Sequence, residues 1–170
     1  KINLKGSDVS GFAEANDTTL WVTTRLRGLY RYNLKNGRLL KYNNPAIPKE
    51  LSGATTYNNH TWLVSPFGIY RLSPESGAVE AYREGCSANY SLIPAPADRL
   101  TAFTQDGLLE YDPVTDQFKN IPAFEELTIL GAGCSENGTL IALTAEKGTI
   151  RWDGKKMTIL NKTRHKREAL

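Results

Sequence analysis

The sequence predicts an all-β fold built of β-propeller blades, each of four antiparallel strands, with about four blades in the chain. Three observations carry this. A glycine that opens a strand returns at Gly28, Gly68, Gly107 and Gly148, at intervals of 40, 39 and 41 residues. Each time it follows an apolar strand that ends in a hydroxyl residue, and no segment sustains a helical period. A period near forty residues with four short strands per unit is the pattern of propeller blades. A β-sandwich or barrel also has short, evenly spaced strands, but does not require the same turn, aromatic residue and glycine to return in constant register.

The repeats are predicted at about 8–47, 48–86, 87–125 and 126–160, followed by a basic tail or linker at 161–170. The first strand of each unit, at residues 9–15, 52–57, 91–95 and 129–134, is rich in small residues. These suit an innermost strand, where blades converge and side chains have little room. The second strand follows a polar turn: Leu20-Trp21-Val22-Thr23-Thr24, Thr61-Trp62-Leu63-Val64-Ser65, Leu100-Thr101-Ala102-Phe103-Thr104 and Leu140-Ile141-Ala142-Leu143-Thr144. The third begins at the recurrent glycine, where a tight turn commonly needs the positive φ that glycine adopts without a Cβ penalty.

Type I turns then close the outer hairpins at Asn33-Leu34-Lys35-Asn36-Gly37, Ser73-Pro74-Glu75-Ser76-Gly77 and Asp112-Pro113-Val114-Thr115-Asp116, with Gly37 and Gly77 at the left-handed position. In the fourth unit Asp153-Gly154 predicts a two-residue hairpin. Fourth strands are expected at 38–42, 78–82, 117–121 and 155–160. Residues 123–127 could form one helical turn at most.

Bulk properties exclude several classes. With 170 residues and a formal charge of +3, the chain has the composition of an ordinary globular domain. Its apolar runs fall far short of the ~20 residues a membrane-spanning helix needs, and the N-terminus carries no signal-peptide core. Much of the positive charge sits in the tail at Lys162, Arg164, Lys166 and Arg167, without the helical period or aromatic interleaving of a nucleic-acid site, so it reads as a solvated linker. Cys86 and Cys134 are too few for a disulfide framework or zinc site; they are either free thiols, which is the favoured reading, or a single bridge between two repeats.

Chemistry is sparse. His60 and His165 have no ligand spacing to other donors, so no metal site is expected. The Gly85-Cys86-Ser87 and Gly133-Cys134-Ser135 segments match neither a nucleophile elbow nor a phosphate loop. Asp106, Glu110, Asp112, Asp116 and the pair Glu125-Glu126 fall in turns and solvent-facing strand positions, which hairpin formation explains without acid/base catalysis. Five Asn-x-Ser/Thr sequences, at Asn16, Asn59, Asn89, Asn137 and Asn161, read as turns. No catalytic residue and no cofactor is assigned.

The stretch Leu20-Trp21-Val22-Thr23-Thr24, then Gly28-Leu29-Tyr30-Arg31-Tyr32-Asn33 and Gly37-Arg38-Leu39, resembles the two-component regulator propeller repeat. The second unit keeps Trp62, Gly68, Ile69, Tyr70, Arg71 and Gly77. The third keeps Gly107, Leu108, Tyr111, Asp112 and Pro113 without the tryptophan, and the fourth keeps Thr144, Gly148 and Asp153.

The resemblance implies the periplasmic sensor region of a hybrid two-component histidine kinase that responds to oligosaccharides, anchored to the inner membrane only through the parent protein. Such rings usually hold seven blades, so the chain reads as a partial propeller. Ile2-Asn3-Leu4 looks like the outer strand of a preceding blade. The apolar faces of its end blades are expected to associate with the remaining repeats of the parent chain or with a second copy, as a homodimer. No nucleic-acid partner is expected.

In a propeller the loops between second and third strands open on the same face as the interblade connections. This places Arg25, Arg27, Phe67, Gln105, Asp106, Glu146 and Lys147 on one rim as the candidate ligand-binding residues, with Tyr90 nearby. Guanidinium groups and aromatic faces suit sugars and their carboxylates or sulfates. The other classes left open are a propeller enzyme, a lyase or glycosidase, and a protein-binding scaffold propeller; the Gly-His dipeptide of WD-type scaffolds is absent.

Overall fold

In a computed structural model, residues 8–83, 91–93, 99–104, 107–135 and 137–161 are described. The fold is all-β and propeller-like, with four blades. Each is a four-stranded antiparallel sheet with its strands in sequence order. They comprise β1 (Val9–Asn16), β2 (Thr19–Thr24), β3 (Gly28–Asn33) and β4 (Leu39–Lys41); β5 (Gly53–Tyr57), β6 (His60–Ser65), β7 (Gly68–Leu72) and β8 (Val79–Tyr82); β9 (Ser91–Ile93), β10 (Thr101–Thr104), β11 (Gly107–Asp112) and β12 (Gln117–Asn120); and β13 (Ile129–Cys134), β14 (Leu140–Thr144), β15 (Gly148–Trp152) and β16 (Met157–Asn161). The chain divides into two compact units, 1–92 and 93–170, with the boundary inside β9.

The first unit stacks the β1–β4 sheet on the β5–β8 sheet. Trp21 and Leu29 of the first sheet share one core with Leu63, Tyr70 and Leu72 of the second, sealed by Ile47 and Leu51 from the connection between them. Burying each such leucine contributes about 1.5–3 kcal/mol, so the connection is part of the core as much as a link. The small residues of the first strands have a packing reason: a Cβ on Gly11 of β1 would stand 3.0 Å from the Cα of Gly53 in β5. Only glycine lets the two backbones approach that closely. Two further bonds cross the stack, from the Thr56 hydroxyl to the Glu14 carbonyl and from Asn44 Nδ2 to the Gly77 carbonyl.

The second unit repeats the plan with different side chains. Leu108 of β11 packs with Ile129, Leu140, Ala142 and Ile150 of the β13–β16 sheet, and Ile121, Phe124 and Leu127 close the core from the connection. The single turn expected at 123–127 is a 3-10 turn at Pro122–Phe124, which drives the fully buried Phe124 into this core.

Turn chemistry follows the sequence in most places. Gly28, Gly107 and Gly148 have positive φ, as do Gly37 and Gly77; in the third blade Asp116 takes the left-handed position at φ 54° and accepts a hydrogen bond from the Tyr111 hydroxyl. Two expectations are corrected. Gly68 is not left-handed, because the Ser65–Gly68 turn closes without it. The fourth outer hairpin is longer than two residues: Trp152 pairs with Met157, and the Asp153 carboxylate accepts the Lys155 and Lys156 N–H groups across the wider turn.

Candidate ligand-binding site

The hydroxyl that ends each second strand organises the turn beyond it. Buried Thr24 donates to the Gly28 carbonyl and accepts from the Arg27 N–H, and buried Thr144 does the same with Gly148 and Lys147. Ser65 accepts from the Phe67 N–H. The turns are therefore rigid platforms carrying exposed side chains: Arg25, Arg27, half-exposed Phe67, Glu146 and Lys147. Gln105, Asp106 and Tyr90 lie outside the described residues, as does Cys86; Cys134 is a free, half-buried thiol whose pKa is raised by desolvation.

In both units the turn meets the interblade connection. Gly28 N–H donates to the Lys49 carbonyl at 2.7 Å, and Leu51 N–H to the Thr24 carbonyl at 3.1 Å. In the second unit Ala145 N–H donates to the Thr128 carbonyl, and the Glu146 carboxylate accepts the Thr128 N–H at 3.0 Å. Hydrogen bonding from Thr128, first through its side chain and then through its backbone N–H, holds the Glu146 pKa below its ordinary value. Glu146 is thus occupied in clamping a connection.

Arg27 stands instead at a pocket. It lines a cavity of about 520 Å³ in the first unit with Gly28, Lys41, Tyr42, Asn44, Pro48 and Lys49, among others. The Tyr42 ring meets Trp21 edge-on at 5.0 Å between centroids, and the Arg31 guanidinium lies 4.8 Å from the Trp21 ring and 5.4 Å from the Tyr42 ring. Tyr42 is consequently held as a fixed wall. Neither Lys41, Tyr42 nor Lys49 was among the rim residues read from the sequence; the signal that could have found them is their position at the fourth strand and the connection, which the same loop geometry brings beside Arg27.

A second concavity, of about 500 Å³, lies in the second unit. Its charges pair among themselves: Arg99 with Glu110 at 2.6 Å, and Lys119 with Asp112 at 2.5 Å. The Lys119 hydrogen bond, with those from Val114 and Thr115, holds Asp112 well below the usual carboxylate range, and the Glu110 hydrogen bond raises Arg99. Among the described residues no group of three His, Cys, Asp or Glu side chains is placed to hold a metal ion.

Compared with known proteins, the chain has close structural neighbours. It superposes on the extracellular domain of the one component system BT4673 from B. thetaiotaomicron with a TM-score of 0.69 and 26% identity over 89% of this chain. A structure of the extracellular domain of the hybrid two component system BT4673 gives 0.70 and 24% over 96%, and that of the hybrid two component system BT3049 from the same organism gives 0.73 and 19% over 91%. The chain shares the fold of these extracellular domains. It spans 22–23% of the length of those chains. No protein-family model and no curated protein sequence matches it.

The features shared by the four blades, the hydroxyl-ended second strand and the turn beyond it, build the platform. Its charges differ from blade to blade, and with them what each concavity can hold.

Proposed function

We propose that this chain is a segment of the extracytoplasmic, periplasmic sensor region of a two-component signalling protein, that its parent is an inner-membrane histidine kinase, and that it responds to oligosaccharides without chemistry of its own. The observation that carries this reading is the likeness to extracellular domains described as parts of hybrid two component and one component systems, across about nine-tenths of the chain. Two features of the chain support it. Rigid turns present side chains beside concavities of a size that suits small ligands. The carboxylates Asp112, Glu110 and Glu146 are engaged in ion pairs or backbone bonds, which leaves them poorly placed to act as an acid/base pair.

Signal transmission in this reading works through blade or subunit packing, with a homodimer or the parent's further repeats covering the end blades. Titration of the purified chain with a broad panel of oligosaccharides in a calorimeter tests it. Heat from at least one saccharide is expected; silence across the panel, from the complete sensor as well, would count against the assignment, and turnover of any saccharide would favour the enzyme class.

A further inference from the structure

The two concavities are similar in size and opposite in electrostatic state. In the second unit every charged lining residue has a partner of opposite sign within the lining: Arg99 with Glu110, and Lys119 with Asp112. In the first unit the lining includes Arg27, Lys41 and Lys49 and no carboxylate. None of the ion pairs among the described residues engages these three cations. Three like charges around one hollow repel one another, and an anion bound there relieves that repulsion.

We infer that this pocket binds the anionic group, carboxylate or sulfate, of an acidic oligosaccharide, so that the sensor proposed above is selective for charged over neutral sugars. The inference rests on the oligosaccharide reading and narrows it. The three cations come from three backbone segments, each tied down. The Arg27 turn is closed by the Thr24 hydroxyl; Lys49 is bonded through its carbonyl to Gly28; Lys41 pairs with Tyr30 in the β3–β4 ladder.

The cationic stems therefore start from fixed points, which lowers the ordering cost of binding. Arg27 supplies a planar fork suited to a carboxylate or sulfate, and the lysines add point charge. Tyr42, locked by Trp21 and Arg31, offers a wall for the sugar ring, and Asn43 supplies an amide for its hydroxyls.

The test uses the full 170-residue chain, titrated calorimetrically with an oligogalacturonate, a heparin-derived oligosaccharide, inorganic sulfate and a neutral maltooligosaccharide. One of the acidic saccharides is expected to bind, more weakly as salt rises, and to outcompete the neutral sugar by about tenfold or more in affinity. The galacturonate and heparin arms separate carboxylate from sulfate recognition.

The combined variant Arg27→Gln, Lys41→Gln, Lys49→Gln should lose about tenfold in affinity or more with an unchanged melting temperature. Lys155→Gln with Lys156→Gln, which removes the same kind of charge outside the pocket, should retain binding. Neutral sugar bound as tightly as acidic would overturn the charge assignment and leave the oligosaccharide reading standing. Acidic sugar bound equally by the triple variant would overturn the site. No binding by any saccharide would remove both.

Discussion

The Thr24 hydroxyl stands 2.9 Å from the Gly28 carbonyl it donates to, and the Arg27 N–H reaches the same hydroxyl at 3.1 Å. Thr144 and Gly148 reproduce the arrangement at 3.0 Å, with Lys147 N–H at 3.1 Å. One buried oxygen thus satisfies a donor and an acceptor of the tight turn, beside the bonds that the Gly28 N–H and the Thr24 carbonyl make to the connection. Gly28 accepts the left-handed conformation there at φ 76°.

Thr24→Val keeps the shape and removes both bonds, leaving buried polar groups without partners. A loss of about 1–3 kcal/mol in unfolding free energy is expected, with Thr24→Ser close to the parent. Urea denaturation of the three proteins measures it. A valine variant as stable as the parent would show that the turn is held by its packing alone.

Gly28→Ala combines a left-handed backbone with a Cβ that would meet the Pro48 carbonyl at 3.4 Å. Destabilisation of about 1–2 kcal/mol is expected from the backbone conformation alone, whereas Gly68→Ala, at a position without positive φ, should cost less. Comparing the two midpoints under the same denaturant checks the difference.

The Arg31 guanidinium over Trp21 and Tyr42 has a counterpart in Arg71 over Trp62 and Tyr82, where Arg71 also pairs with Glu80. Arg31→Ala is expected to lower stability by about 0.5–2 kcal/mol and to shift tryptophan emission, since it uncovers the Trp21 ring. Unchanged emission would mean that the ring is already shielded by its other neighbours.

Asp112, Glu146 and Asp153 all have pKa values held below their ordinary range: Asp112 chiefly by the Lys119 hydrogen bond, Glu146 by Thr128, and Asp153 by the Lys156 and Lys155 N–H groups. With folded-state values below the unfolded ones, their contribution is present above the ordinary carboxylate range, and it fades as pH falls through that range towards the folded-state values. Melting temperature should therefore decline on acidification below roughly pH 4, and Asp112→Asn should flatten part of that decline. An acid limb identical in parent and variant would contradict the role given to Asp112.

On the last sheet, Ile141 and Leu143 occupy the strand positions that Trp21 and Thr23 hold on the first. Trp21 and Thr23 are buried under the second blade, while Ile141 is 39% and Leu143 41% exposed, and a Cβ on Gly131 would meet nothing within 4 Å. An exposed apolar face of this kind is expected to associate. Sedimentation should show concentration-dependent oligomers of the parent, and Ile141→Lys with Leu143→Lys should remain monomeric. A parent that stays monomeric at high concentration would rule out self-association through this face.

The strands were legible because their signals are local. The repeat of hydroxyl, turn and glycine reports backbone conformation within a few residues, and it placed all four sheets. Where it misled, a neighbour supplied what the motif assumed: Asp153 caps a wider turn than its Asp-Gly pair suggests, and Gly68 sits in a turn that does not need positive φ.

The amino-acid sequence by itself determined the four-stranded blades and the rigid turns that carry Arg27 and Lys147, since hydrogen bonding and φ preference act over a handful of residues. Which charges remain free was decided only in three dimensions. Arg99 finds Glu110 and Lys119 finds Asp112 through strand pairing, while Arg27, Lys41 and Lys49 converge from a turn, a strand and a connection with no acid among them. Coulombic pairing depends on distance in space, and chain order says little about that once strands fold side by side.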